Sequence, residues 1–340
     1  MYRVLTDLQI LKNSRSIFKL VFTMSMLSLL LTCCSRVAIN SPKTDLSVTT
    51  LSTTLPLVSI SCPSTNRCAA LDASGGTYFL FNNKWSKKLQ IKGILPNSAF
   101  RISCTQTFYC VVVAGEGYGN PNSAGSVSFY INNKWSHAIQ ISNVTVPQAS
   151  CVTSSFCMVV DANNKYYILS DGSITNEGQI PLLDIYDAKV NSLDCVESNY
   201  CLASDSYGNL HIYKDSTWTV YKMNSNIHIN QPGASSISCS DTNYCMILQN
   251  NDKAIIWDDL RASIIRQSSG SFTFSGLSCF GRQNCVVTST RGNVWLYSNG
   301  ILRKTITLDN LGNNVVRCTN LNFCVAVNWS GKSYEFKFNL

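Results

Sequence analysis

A pair of cysteines six positions apart recurs seven times along this 340-residue chain. The pairs are Cys62–Cys68, Cys104–Cys110, Cys151–Cys157, Cys195–Cys201, Cys239–Cys245, Cys279–Cys285 and Cys318–Cys324. Successive first cysteines are separated by 42, 47, 44, 44, 40 and 39 residues. A period held in this range is the signature of a repeat architecture, in which each unit buries its apolar faces against its neighbours.

Aligning the repeats on the first cysteine shows what the unit is. Two residues ahead stand Ile60, Ile102, Ala149, Leu193, Ile237, Leu277 and Val316, all apolar. One residue ahead stand Ser61, Ser103, Ser150, Asp194, Ser238, Ser278 and Arg317, all polar. This alternation predicts a strand. The mostly apolar triplets after the second cysteine ("VVV", "MVV", "MIL") fit a second strand buried on both faces. A third strand rich in aromatic and β-branched residues follows, as in "TYFLF" and "NVWLY". Then comes a tight turn, "NNKW" or "KDSTW", whose Asn or Asp tolerates positive φ, and a fourth strand such as "WSKKLQI" or "WTVYKM". Four strands in roughly 40–45 residues make one blade of a β-propeller. The fold class is therefore all-β, a seven-bladed propeller of four-stranded blades. The last repeat stops at Leu340 after its third strand, and "DLSVTTLSTTL", Asp45 to Leu55, is β-prone. That segment is predicted to supply the outer strand of the last blade and close the ring, removing a sheet edge.

Each cysteine pair flanks the turn between the first two strands. Facing residues of a non-hydrogen-bonded hairpin pair lie about 4.5 Å apart, close enough to bridge. Zinc would need shorter ligand spacings with His or Cys partners, but the three histidines, His137, His211 and His228, fall at unrelated repeat positions. A redox pair would be Cys-x-x-Cys. Of 16 cysteines the cassettes use 14, leaving only Cys33 and Cys34. The chain thus reads as oxidised, with one hairpin disulfide per blade and no metal or cofactor. A closed loop this short contributes roughly 2–2.5 kcal/mol in the chain-entropy model.

The N-terminus reads as a targeting segment. Residues 1–33 carry a net charge of +3, and "LVFTMSMLSLLLT" is an apolar run too short to span a bilayer. "LTCCS" resembles a bacterial lipoprotein signal, with Leu31 three residues ahead of Cys34. This implies a signal over 1–33, lipidation at Cys34 (alternatively Cys33) and a flexible tether over 34–45. The propeller then occupies 46–340. The expected location is the outer face of the cytoplasmic membrane or the cell envelope, lipid-anchored, with secretion as the alternative. Overall net charge is +8, but no dense Lys/Arg run accompanies it, so nucleic acid is not an expected partner.

Function is written more faintly. Asp72, Asp161 and Asp205 stand four residues past the second cysteine, with Gly75, Asn164 and Gly208 three residues further on. The pattern loosely resembles the Asp-box of sialidase-type propellers with one residue too many, and reads as an Asx-turn. Tyr109, Phe156, Tyr200, Tyr244 and Phe323, each just before a second cysteine, suit packing between blades. Loops joining strands two to three and four to the next blade share one face, where propeller ligands often sit. Irregular segments on that face are "AGEGYGNPNSAG" (Ala114–Gly125), "PLLDIYDAK" (Pro181–Lys189) and "NSNIHINQPGA" (Asn224–Ala234). They make Glu116, Tyr118, Asp184, Tyr186, Asp187 and His228 the candidate ligand-binding residues.

Catalysis finds less support. Of Arg67, Arg101, Arg261, Arg266, Arg282, Arg291, Arg303 and Arg317, no trio assembles on one face as a sialidase would require. Neither G-x-S-x-G nor H-E-x-x-H is present. A lactonase-type metal ring in the channel would need acidic, amide or imidazole groups where this chain has mostly serine. Over residues 46–340 the chain resembles bacterial exported seven-bladed propellers of the broad WD40/YVTN/BNR-like group, through its repeated "SC-x5-C…D-x-x-G" unit. The resemblance implies the fold and leaves activity open. The expectation is a monomeric, surface-anchored binding or scaffold propeller that recognises a protein or glycan, with a sialidase-like or other glycoside-processing enzyme as the alternative. Exposed aromatics on the loop face would favour binding; a carboxylate pair with clustered arginines would favour the enzyme.

Overall fold

The computed structural model describes residues 43–47, 51–94, 99–117, 124–183, 188–221, 234–249, 253–258, 261–266, 273–281, 283–309 and 314–339. Among them every regular element is a strand, and no helix is long and apolar enough to cross a membrane. The strands form seven antiparallel sheets, one per cassette. Their first strands are Leu57–Ser64, Ala99–Cys104, Gln148–Thr153, Val190–Glu197, Ala234–Asp241, Phe274–Cys279 and Asn314–Asn320. Each touches the first strands of the neighbouring blades, and the seventh touches the first, so the inner strands close a ring around a central channel.

The apolar triplets behave as their composition requires. The second strands, such as Cys110–Gly115, Tyr200–Asp205 and Phe323–Asn328, are buried along their whole length. Apolar clusters join neighbouring blades: Ala69, Leu71 and Phe79 of the first blade pack on Ile102, Cys104 and Val112 of the second. Tyr109, Phe156, Tyr200, Tyr244 and Phe323 are all buried, which fixes them as blade-packing residues.

Ring closure comes from the N-terminal segment, with altered bounds. Lys43–Ser47 pairs antiparallel with Ser333–Asn339, from Lys43↔Asn339 to Ser47↔Glu335, as the fourth strand of the last blade. The strand thus begins two residues before Asp45 and stops far short of Leu55. Leu51 leaves the sheet to be buried against the first and last blades, and Ser52 bridges Lys332. Pro42–Leu340 forms one compact unit; residues 1–41, on which the expected signal and both candidate lipidation sites fall, lie outside the described residues.

All seven cassettes are disulfide-bonded within themselves, with Cα separations of 3.9–4.1 Å, closer than a typical facing pair. The turns between third and fourth strands use consecutive positive-φ residues, Asn82–Asn83, Asn132–Asn133, Asp171–Gly172, Asp215–Ser216 and Asn299–Gly300, as the hairpin twist demands. The fourth strands of the first two blades are interrupted, which their sequences did not announce. Lys84–Trp85 and Leu89–Gln90 are separate, as are Lys134–Trp135 and Ile139–Ser142. Ser86 and Ser136 accept the N–H groups of Phe79 and Phe129 at 3.0 and 3.1 Å, and this local bonding competes with the ladder.

Candidate functional site

The inner edge of each blade would leave strand N–H groups unpaired, and the residue before each first cysteine resolves this. Ser61, Ser103, Ser150, Asp194, Ser238 and Ser278 each accept the N–H of the next blade's first cysteine, at 2.7–3.0 Å. The channel-side serines are therefore edge caps between blades, an unpaired donor there being costly.

Arg317 occupies the seventh position of this ring and can only donate. Its Nη1 reaches the carbonyl oxygens of Leu277 and Val316, at 2.9 and 3.0 Å. Its charge faces the channel together with that of Asp194 from the fourth blade. The Arg317 side chain is solvent-accessible, yet the protein surrounding it partly desolvates the charge and lowers its pKa against the attraction of Asp194. Burial also raises the Asp194 carboxyl, opposed by the Cys239 N–H, the Arg317 charge and the hydroxyls of Ser150 and Ser238. The seven residues before the first cysteines are thus five serines, one aspartate and one arginine, and Arg101, two positions before Ser103 on the same strand face, donates from Nε to Gln148 Oε1 at 2.9 Å.

The opposite end of the second strand builds the loop face. Asp72 accepts the N–H groups of Ser74 and Gly76, Asp161 those of Asn163 and Lys165, and Asp205 those of Tyr207 and Asn209. The third residue after each, Gly75, Asn164 or Gly208, is left-handed and donates back to the Asp carbonyl. Ser289 with Gly292 and Asn328 with Gly331 repeat the arrangement with other side chains. The turns also hold the connections between blades: the N–H groups of Ala73, Ala162, Ser206 and Thr290 donate to Pro56, Thr145, Lys189 and Thr273. Both loop sets therefore lie on one face.

The buried turn carboxylates differ in setting. Burial would raise the Asp72 carboxyl, but Lys88 at 2.9 Å, Ser74 and the backbone hold it below its usual range. Tyr78, which donates to Asp72, is pushed up to about 12 by burial and by that charge. Burial of Asp205 is likewise outweighed by His211 Nε2, 3.1 Å from Oδ2, and by Asn209, so its carboxyl lies low. At Asp161 burial wins over the Lys165, Thr145 and Asn163 N–H groups, and the carboxyl lies high.

Of the six sequence-derived ligand candidates the structure describes one. Glu116 is half-buried, and its backbone pairs with Val144 and Val146 on the connection to the third blade. Tyr118, Asp184, Tyr186, Asp187 and His228 lie outside the described residues. The insertion at 114–125 is shorter than it reads, because the second strand runs to Gly115 and the third begins at Ala124, pairing Ala114 with Ser126. Likewise Ala234 already belongs to the first strand of the fifth blade.

Two residues missed in the sequence stand out at the turn tips. Trp329, beside Asn328, is 56% exposed, and Tyr207, beside Gly208, is 43% exposed. Where the first and third blades carry Ala and Ser or Ala and Asn, these blades present an indole and a phenol to solvent. The signal was available: a large aromatic inside an Asx-turn has no core to fill.

No family model and no curated relative matches the chain. Solved structures do, and they share its fold, the β-propeller. The WD40 propeller domain of Doa1 is similar with 13% identity and a TM-score of 0.64, over 86% of this chain and 97% of that one. Virginiamycin B lyase from Staphylococcus aureus is similar at 11% identity and TM-score 0.64, over 87% of this chain and 99% of that one. YCF48 bound to D1 peptide is similar at 11% identity and TM-score 0.63, covering 89% and 97%. At such identities the likeness is one of fold.

Proposed function

We propose that this chain is a binding propeller held at the cell envelope, which engages a protein partner through its loop face. The exposed indole of Trp329 carries this reading, because exposed aromatics projecting from a rigid turn are the anchors protein interfaces favour. Tyr207 and the irregular connections extend the same face. The solved YCF48 structure with a bound peptide supports a protein ligand for this architecture. The seven disulfides point to an oxidising compartment. Lipidation at Cys34, with Cys33 as alternative, would leave eight residues before Lys43, a reach of at most about 29 Å from the bilayer.

The test is affinity capture from envelope extracts with the full chain, its Trp329→Ala variant and a variant altered on the cassette face, Asp215→Ala. The expected result is a partner retained by wild type and Asp215→Ala and lost with Trp329→Ala. Identical capture by all three would refute the loop-face reading.

A further inference from the structure

The cassette face carries a second site, independent of the loop-face reading. Between the fourth and fifth blades lies a groove of about 670 Å³, bounded by the cassette turns of both blades and the turn between strands three and four of the fourth. We infer that this groove binds a neutral saccharide.

The lining supports that ligand class over others. Its rim is Asn199, Asp215, Thr217 and Asn243, short side chains that offer hydrogen bonds in both directions. Asp215 and Asn199 are held together by Asp215 N–H to the Asn199 carbonyl at 3.3 Å and Asn199 Nδ2 to Asp215 Oδ1 at 3.4 Å. The rim is therefore set before a ligand arrives, which lowers the ordering cost of binding. The floor is Tyr200 and Ile212, both buried, giving an apolar surface beneath a polar rim, as the alternating faces of a sugar require. Glu197 and Asp215 outnumber the single cation Lys214, which disfavours an anionic ligand. No group of three metal-ligating side chains occurs among the described residues, and none of the exposed large hydrophobic residues lines the groove as a peptide anchor.

The repeat provides its own control. Between the first and second blades the corresponding space is filled. Phe81 and Phe108 pack with tilted rings, centroids 4.9 Å apart, and Arg67 lies 4.7 Å over Phe108. Lys214 faces Tyr200 across the strands as Phe81 faces Arg67, and Asn243 stands two residues before its second cysteine as Phe108 does. Where one pair of blades has an aromatic plug, the other has a polar opening.

The experiment titrates the full chain with a panel of neutral trisaccharides (chito-, cello-, xylo-, manno- and maltotriose), read by saturation-transfer NMR and calorimetry. Asp215→Ala removes a rim acceptor, and Lys214→Phe introduces the filling residue that the first blade already tolerates. The expected result is binding of at least one trisaccharide, weakened tenfold or more by both variants and unchanged by Trp329→Ala. A variant that melts more than a few degrees below wild type is replaced by Thr217→Ala, with the same expectation. No binding by any panel member, binding insensitive to the groove variants, or binding lost with Trp329→Ala would each overturn the proposal.

Discussion

At the residue scale, the position four residues past the second cysteine holds Asp, Ser, Asn or, in the fifth blade, Gln249 in six blades and Ala114 in the second, and its neighbours decide what each tolerates. Asp161 sends Oδ1 to two N–H groups, while its Oδ2 receives only the Thr145 N–H at 3.4 Å. Asn328 does the same work in the seventh blade. Asp161→Asn is therefore expected to shift stability by less than about 1 kcal/mol in a denaturant melt. At Asp205, Asn209 Nδ2 and His211 Nε2 both donate to Oδ2 inside the core, and an amide would set donor against donor. Asp205→Asn is expected to cost about 1–3 kcal/mol. The pH dependence has a definite sign. The Asp205 carboxyl is lowered on folding, so its contribution is complete above the ordinary carboxylate value of about 3.9 and disappears as pH falls through the lower folded value. The stability gap between wild type and Asp205→Asn should accordingly narrow below about pH 4. A gap that is flat or widens there would contradict the assignment.

At the element scale, the polar residue before each first cysteine is a cap for the neighbouring strand. Ser103→Ala would strand the part-buried Cys151 N–H and is expected to cost about 1 kcal/mol. Hydrogen exchange should accelerate at the Cys151 amide and stay unchanged at Cys195, which Ser150 caps. Alternation in the sequence placed these serines on a strand, but alternation cannot say which backbone a side chain meets, because that contact crosses some 40 residues to the next repeat. The same limit explains the other gaps. Strand count, turn chemistry and the cassette disulfides were legible because they arise within one repeat. The interrupted fourth strands were not, since the Ser86 and Ser136 hydroxyls compete with the ladder only once the hairpin exists. Loop length singles out the insertions and not Trp329 and Tyr207, which sit on regular turns; there the informative departure is in side-chain size, not length.

At the scale of the whole molecule, the ring is closed twice, by the contact of first and last inner strands and by Lys43–Ser47 on the outer edge of the last blade. Deleting residues 43–47 would bare the edge of Ser333–Asn339 beside the buried Phe336 and Phe338. Such a chain is expected to melt lower and to self-associate in sedimentation, while deletion up to residue 41 leaves the propeller intact. A shortened chain as stable and monomeric as its parent would argue against the outer closure. The cassette is a staple, one per blade, and the surfaces proposed for recognition are those where the copies differ. Peptide mapping of the purified chain under non-reducing conditions tests this most directly. It should recover seven linked peptides, each joining cysteines six positions apart, with no free thiol between Cys62 and Cys324. A free thiol in any cassette, or a link between cassettes, would contradict it.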